Sequence, residues 1–263
     1  MRGLTLALLL AAISVDAQTT HAEVVRSDSL LESAIHRVGY DRFLNRTYSP
    51  ELIVPSGTPN AGRIVRAWED VYTPRWYAQE VRTQALAAVT TDDLRALLRW
   101  LDEPVVRRAI AHDFDAAHDE DVEGWTRLAE ARAAGGLDPQ FEAAVTRIVE
   151  VTRGGEAALE YGIRRYEAFL LYAADSQPGA TRPTRSEIEQ FRRMARQQMR
   201  DVTSEDVFAM IASRFESFPL DDLVRYAELL DSPEGRTYIG LVFDAPYAAN
   251  LEAVHIALEK ARK

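Results

Sequence analysis

The sequence predicts an all-α protein, and three observations support this fold class. Apolar residues recur at helical spacing along most of the chain, strand-like alternation is rare, and glycine and proline fall between the apolar segments. The chain has 263 residues, of which 47% are hydrophobic. That is enough apolar material for one composite helical domain or for two smaller ones.

One segment of the chain repeats itself further along the sequence. Residues 92–116 align without a gap with residues 221–245 and are identical at 11 of 25 positions. We therefore predict a tandem duplication of a unit of about five helices. The first repeat spans residues 23–136 and the second spans residues 156–263, with a connector helix at 137–155.

Capping and breaking residues predict where individual helices begin and end. Ser29 and Glu32 form a capping-box pattern, opening a helix that runs to about Asn45. Asp138 and Pro139 suit the N-cap and first-turn positions of another helix. Thr91 or Asp92 is expected to cap a short helix that ends near Asp102. Further helices are expected to begin at Pro104 (running toward Gly135), at about Arg185, at about Thr203 and at Pro233.

The first 22 residues have the order of a secretory signal peptide. Arg2 precedes an apolar run from Leu4 to Ile13, and small residues at Ala17 and Ala22 form two cleavage sites. The apolar run is too short to span a bilayer, and no later stretch is long and apolar enough to do so. We therefore expect cleavage after Ala17 or Ala22, a periplasmic or secreted protein, and no transmembrane segment after cleavage.

Composition excludes several classes of function. The absence of cysteine excludes a disulfide framework, a thiol nucleophile and cysteine-ligated zinc. The formal net charge of −10 disfavours nucleic acid and anionic membranes as partners, because both are negatively charged. Only Lys260 and Lys263 of the 31 basic residues are lysines, an arginine bias that suggests a GC-rich bacterial genome.

The repeated segment predicts a sharp corner between two helices. Ser232 is a good N-cap, and Pro233 suits the first turn of the following helix because its missing N–H is harmless there. The candidate structural residues of this corner are, in the first copy, Asp93, Asp102, Pro104 and Arg107, and, in the second copy, Asp222, Asp231, Ser232, Pro233, Gly235 and Arg236.

Arg107 and Arg236 each share a helix face with an isoleucine and a phenylalanine. An unpaired charge on an apolar face is costly, so we predict that both arginines form ion pairs. The expected partners are Asp102 or Asp93 in the first copy and their counterparts in the second. A structural ion pair is favoured over an anion-binding role. On this interpretation, Arg236→Ala clearly lowers thermal stability.

The corner resembles a motif of an uncharacterised family of secreted bacterial proteins. In that family an acidic residue and leucine precede an aromatic pair, then Ser-Pro-x-Gly, then a further proline. Asp222-Leu223, Ser232-Pro233-Glu234-Gly235 and Pro246 fit this order, whereas Leu229-Leu230 replaces the aromatic pair. The resemblance covers residues 204–260 and, more weakly, 75–134. It implies an all-helical secreted domain and supplies no catalytic residues.

An acidic run with two histidines is a candidate metal site. His112, Asp115, His118 and Asp119 fall at helical spacing, which could direct metal-binding side chains to one side for a hard cation or zinc. The run does not fit a calcium loop, and the second copy lacks both histidines. A solvated acidic helix face is the favoured interpretation, so no metal or other cofactor is expected.

Two further stripes recur at every fourth residue. Trp68, Tyr72 and Trp76 could line a groove for an apolar or aromatic ligand, although such a stripe is more typical of helix packing. A basic stripe, made of Arg192, Arg196 and Arg200, could bind an anionic surface. It could instead pair with the acidic segment 113–123 of this or another molecule, or face solvent.

The sequence contains none of the common catalytic patterns. It has no Gly-x-Ser-x-Gly elbow, no His-Glu-x-x-His motif and no phosphate-binding glycine loop. We therefore expect a non-catalytic protein that acts by binding or through a protein partner in the cell envelope. The alternatives are a carrier of an apolar or aromatic small ligand, and a metal-assisted hydrolase that uses His112, Asp115 and His118.

Overall fold

The computed structural model describes residues 28–38, 54–55, 57–116, 122–177 and 179–263. Every regular element in these ranges is helical, so the predicted all-α fold class is confirmed. The helices are α1 (28–38), α2 (Ala61–Val71), α3 (Pro74–Ala88), α4 (Thr91–Trp100), α5 (Pro104–Ala116), α6 (Val122–Ala133), α7 (Pro139–Thr152), α8 (Gly154–Ser176), α9 (Arg185–Phe215), α10 (Leu220–Leu230), α11 (Pro233–Ile239) and α12 (Ala245–Arg262). A π-helical turn, Gly240–Asp244, joins α11 to α12.

Two of the predicted helix starts are confirmed in detail. The Asp138 carboxylate accepts hydrogen bonds from the backbone N–H groups of Gln140 and Phe141, and Pro139 is the first residue of α7. The Ser232 hydroxyl likewise accepts from the N–H of Gly235, with Pro233 first in α11. In both cases the polar side chain satisfies N–H groups that have no partner inside the helix.

The predicted starts at Pro104 and Arg185 are also confirmed, whereas three other predicted boundaries are wrong. Thr90, not Thr91 or Asp92, caps α4 in a capping box with Asp93. The helix expected to start at about Thr203 is the second half of α9, because no proline or glycine interrupts Arg185–Phe215. Asp28 and Ser29 are already helical, so Ser29 does not cap α1.

The helix predicted from Pro104 toward Gly135 appears as two helices, α5 and α6. Residues 117–121 between them lie outside the described residues, as do Asn45 and the predicted signal peptide with its cleavage sites.

A single hydrophobic core joins residues from both predicted repeats. Helix α12 packs against α2 and α3 of the first repeat and against α8 of the second. Its buried face carries a row of small residues, with Ala249 and Ala253 fully buried. Small side chains allow close approach of neighbouring helices, so α12 serves as the central helix of this part of the fold.

The π-helical turn before α12 has a cause in the sequence. Pro246 lies in the first turn of α12 and has no N–H for the helical ladder. A single wider turn at Gly240–Asp244 absorbs this interruption, and the helical path continues from α11 into α12.

The two helical corners pack against each other reciprocally. Helix α4 of the first corner contacts α11 of the second, and α10 of the second contacts α5 of the first. The indole N–H of Trp100 donates to the carbonyl oxygen of Leu229 at 3.2 Å, and the indole ring lies 5.4 Å from that of Tyr238. Arg108 on α5 forms a two-pronged ion pair with Asp222 on α10 at 2.8 Å. Each corner therefore covers an apolar face of the other.

The predicted duplication stays a prediction, and the corners differ in one detail. The second helix of each corner begins at corresponding prolines, Pro104 and Pro233. The first helix ends at Trp100 in one corner and at Leu230 in the other, which is one residue later in the aligned sequence. The second corner is therefore tighter. Among the described residues, no helix combines the length and apolar character needed to cross a bilayer.

Candidate functional site

The aromatic stripe lies mostly in the core. Trp68 and Tyr72 are 3% and 5% exposed, and their rings stack with centroids 4.7 Å apart. Trp76 is partly buried and packs against the same core. The stripe therefore fits helix packing, because the first two rings have no free face left for a ligand.

The candidate metal residues are not brought together by the described part of the chain. The His112 ring packs on those of Phe215 and Phe218, with centroids 5.8 and 5.0 Å away, while Asp115 is exposed. His118 and Asp119 lie outside the described residues. Within the ranges that the structure describes, no group of three metal-binding side chains is present.

The corner arginines are not buried, so the expectation of a charge on an apolar face is wrong. Arg107 is exposed, and Asp102 pairs instead with Arg37 at 2.8 Å. Arg236 does pair with Asp231 at 3.2 Å, but 71% of its side chain is exposed. Exposed pairs contribute little to stability, so Arg236→Ala is now expected to cost less than about 1 kcal/mol.

A polar cluster that the sequence analysis missed joins the two corners. Asp113 on α5 pairs with Arg214 on α9 at 3.2 Å, and each side chain is 24% exposed. The hydroxyls of Tyr226 and Tyr238 hydrogen bond to each other nearby. These four side chains line a small cavity of about 50 Å³. Helical spacing from the buried Val106 and Ile110 to Asp113 was the signal that could have placed this carboxylate on the core face.

The electrostatics of this cluster favour a structural role. Burial raises the pKa of the Asp113 carboxyl, and the charge and hydrogen bond of Arg214 offset part of this effect. Burial also raises the pKa of the Tyr226 and Tyr238 hydroxyls, so both stay protonated at neutral pH. A tyrosine with a raised pKa is a poor nucleophile and a poor acid, which argues against proton transfer here.

A broad concave surface beside α8 and α9 forms a groove, which we call the arginine groove. Its volume is about 1350 Å³. It is bounded by the end of α7, by α8 and α9, and by α11 with the π-helical turn. Its lining residues are Glu150, Val151, Thr152, Arg153, Glu156, Ala157, Leu159, Glu160, Arg164, Arg193, Arg196, Gln197, Arg200, Asp201, Asp231, Arg236, Ile239 and Asp244.

Close packing of α8 on α9 positions the walls of the groove. Arg153 adopts a left-handed conformation (φ 50°) that turns the chain from α7 into α8. A Cβ at Gly155 would lie 2.8 Å from the Ser204 hydroxyl oxygen and 3.1 Å from the Ser204 Cα. Only glycine therefore lets the first turn of α8 come this close to α9 without displacing a neighbour.

The predicted basic stripe forms a ladder of ion pairs between the two helices. Its outer rungs are Arg192–Glu167 at 2.8 Å and Arg200–Glu156 at 3.6 Å. The middle rung, which joins Arg196 to Glu160, is the shortest. The hydrogen bond from Arg196 lowers the pKa of the Glu160 carboxyl, so this rung is charged at neutral pH. The three arginines of the stripe thus pair with glutamates of α8, within the second predicted repeat. Asp113, which begins the acidic segment 113–123, pairs with Arg214 instead.

The groove is suited to binding rather than to a reaction. Its arginines offer N–H donors, and half-buried apolar side chains, Val151 and Ala157, lie among them. Burial raises the pKa of one lining carboxyl, Asp244, and the positive charge of Arg153 offsets part of this increase. No nucleophile with an adjacent base lines this groove.

Comparisons with known proteins give no relative. No protein-family model matches the chain, and no curated protein sequence or solved structure shows significant similarity to it. The resemblance to the uncharacterised secreted family therefore stays a prediction, and the candidate site depends on its geometry alone.

Proposed function

We propose that this is a non-catalytic binding protein of the bacterial cell envelope, and that the arginine groove is its binding surface. The observation that carries the proposal is the groove itself. It is a broad concavity of about 1350 Å³, and it combines guanidinium donors with apolar side chains. The envelope location depends on the signal-like residues 1–22 and remains an expectation from the sequence.

The two alternative functions have less support. A carrier of an apolar ligand would use the Trp68/Tyr72/Trp76 stripe, but the first two of these rings are buried in the core. A metal-assisted hydrolase would use His112, Asp115 and His118, but the His112 ring packs on two phenylalanines. Neither alternative has a preformed site within the described residues.

The proposal is tested by site-specific photo-crosslinking in the cells that produce the protein. Gln197 lines the arginine groove and is exposed, whereas Gln190 is exposed on the same helix but does not line the groove. Replacing either residue by p-benzoylphenylalanine places the same probe inside or outside the proposed surface. We expect a discrete crosslinked product, identified by mass spectrometry, from position 197 only.

Two results would contradict the proposal. Equal products from both positions would mean that contacts on α9 are unspecific, and no product from position 197 would mean that the groove has no bound partner. A thermal melt of each variant is the control, since both residues are exposed and neither replacement is expected to lower stability.

A further inference from the structure

We infer that the arginine groove recognises carboxylate groups on an extended, acidic segment of a partner protein. This inference depends on the proposed function and adds the chemistry of the partner. It derives from two arginines in the groove that have no ion pair, and from carboxylates nearby that are shared between several arginines.

Six carboxylates and six arginines line the groove, and two of these carboxylates are each shared between two arginines. Glu156 accepts from Arg153 at 3.0 Å and lies 3.6 Å from Arg200. Asp231 is shared in the same way, by Arg147 at 2.9 Å and Arg236 at 3.2 Å. Each guanidinium has five N–H donors, so sharing one carboxylate leaves donors unused on both arginines.

Arg164 and Arg193 are the two arginines of the groove that no carboxylate pairs. Both are exposed and line the groove, and neither forms a direct ion pair with a described residue, although the charge of Arg164 helps to lower the pKa of the Glu160 carboxyl. The ion-pair ladder fixes their relative position: the helices are antiparallel, and the rungs Arg192–Glu167 and Arg196–Glu160 lie on either side. Arg164 on α8 therefore stands at the same level as Arg193 on α9.

Two unpaired arginines at one level form a binding site for an oxyanion. Each guanidinium can hold a carboxylate through two parallel N–H···O bonds, and a carboxylate there relieves the repulsion between the two charges. The rest of the surface disfavours such a ligand, because the chain has a net charge of −10. Binding of an acidic ligand is thus expected to be confined to the groove.

The other lining residues indicate a peptide rather than a dense polyanion. Glu150, Asp201 and Asp244 also line the groove, and they would repel a polyphosphate or an anionic membrane surface. A peptide spaces its carboxylates and can place apolar side chains against the half-buried Val151 and Ala157. Along α8 the distance from Arg153 to Arg164 is about 16 Å, which matches about five extended residues.

The inference is tested by titrating the protein with a fluorescent peptide in which glutamate alternates with leucine. The reference ligands are the same peptide with glutamine in place of glutamate, and inorganic polyphosphate. The test variant is Arg164→Gln/Arg193→Gln. The control variant Arg99→Gln/Arg107→Gln removes the same charge from exposed arginines that do not line the groove.

We expect the glutamate peptide to bind the unmodified protein about tenfold more tightly than the glutamine peptide. The test variant should lose about tenfold in affinity for the glutamate peptide, and the control variant should lose less than about twofold. Equal loss in both variants, or tighter binding of polyphosphate than of the peptide, would overturn the inference. Crosslinking from position 197 without any peptide binding would refute this inference and leave the proposed function standing.

Discussion

Gly235→Ala is expected to destabilise the protein by more than about 3 kcal/mol. A Cβ at this position would lie 2.3 Å from the carbonyl oxygen of Leu230 and 2.6 Å from its Cα. Both atoms belong to the backbone at the end of α10, so neither can move without opening the corner between α10 and α11. The measurement is urea unfolding followed by circular dichroism.

The matched control is Gly162→Ala, another glycine-to-alanine change inside a helix. No atom lies within 4 Å of the Cβ that this change would add to α8. Alanine has the higher helix propensity, so this variant should be unchanged or more stable by up to about 1 kcal/mol. Similar unfolding midpoints for the two variants would show that the corner is not as tight as the geometry indicates.

Arg214→Met is expected to cost about 2–4 kcal/mol at neutral pH, because it leaves the Asp113 carboxylate without its counter-ion. Burial raises the pKa of Asp113, and Arg214 limits that increase. Removing Arg214 raises the pKa of Asp113 in the folded variant further. At pH values between the unfolded and the folded pKa, the folded variant therefore keeps a proton on Asp113 that the unfolded chain has released. Stability of the variant therefore falls as pH rises between the unfolded and the folded pKa.

The test is urea unfolding of the variant and the unmodified protein at about pH 4, close to the ordinary pKa of aspartate, and at about pH 8, well above it. The loss should be larger at the higher pH. A second change, Asp113→Asn, in the same chain removes the buried charge and should recover much of the stability at that pH. A loss of the same size at both pH values, or no recovery in the double variant, would rule out a buried ion pair at this position.

The sequence predicted the fold class and several helix ends, because these depend on local chemistry. Caps such as Asp138 and Ser232 satisfy N–H groups within three residues, and proline in a first turn acts through its own ring. The long helix α9 was predicted as two, because Thr203 and Ser204 imitate a cap inside a helix that its neighbours stabilise.

The candidate site was harder to predict, because it depends on contacts far apart in the sequence. The stripe of Arg192, Arg196 and Arg200 was visible, but its partners on α8 could be identified only once the two helices were known to pack together. Asp113 was placed on a solvated face by the acidic run around it. Helical spacing from Val106 and Ile110 could have placed Asp113 on the core face, but its partner Arg214 is 101 residues away, so nothing local identified the counter-ion.

The glycine of the corner motif shows why the two repeats cannot be treated as copies in detail. Gly235 aligns with Val106, which is fully buried in the first corner. The first corner therefore has room for a side chain where the second has none. In the second corner the backbone of Leu230, the last residue of α10, lies against the start of α11.

We predict that the two corners interlock into one cooperative core. Equilibrium urea unfolding tests this prediction most directly. All four tryptophans, Trp68, Trp76, Trp100 and Trp125, lie in the first predicted repeat, so their fluorescence reports that half and the seam where Trp100 meets Leu229 and Tyr238. Circular dichroism reports the helices of both halves. We predict coincident transitions with a single midpoint. Two separate midpoints would mean that each repeat folds around its own core, and would contradict the reciprocal packing of the corners.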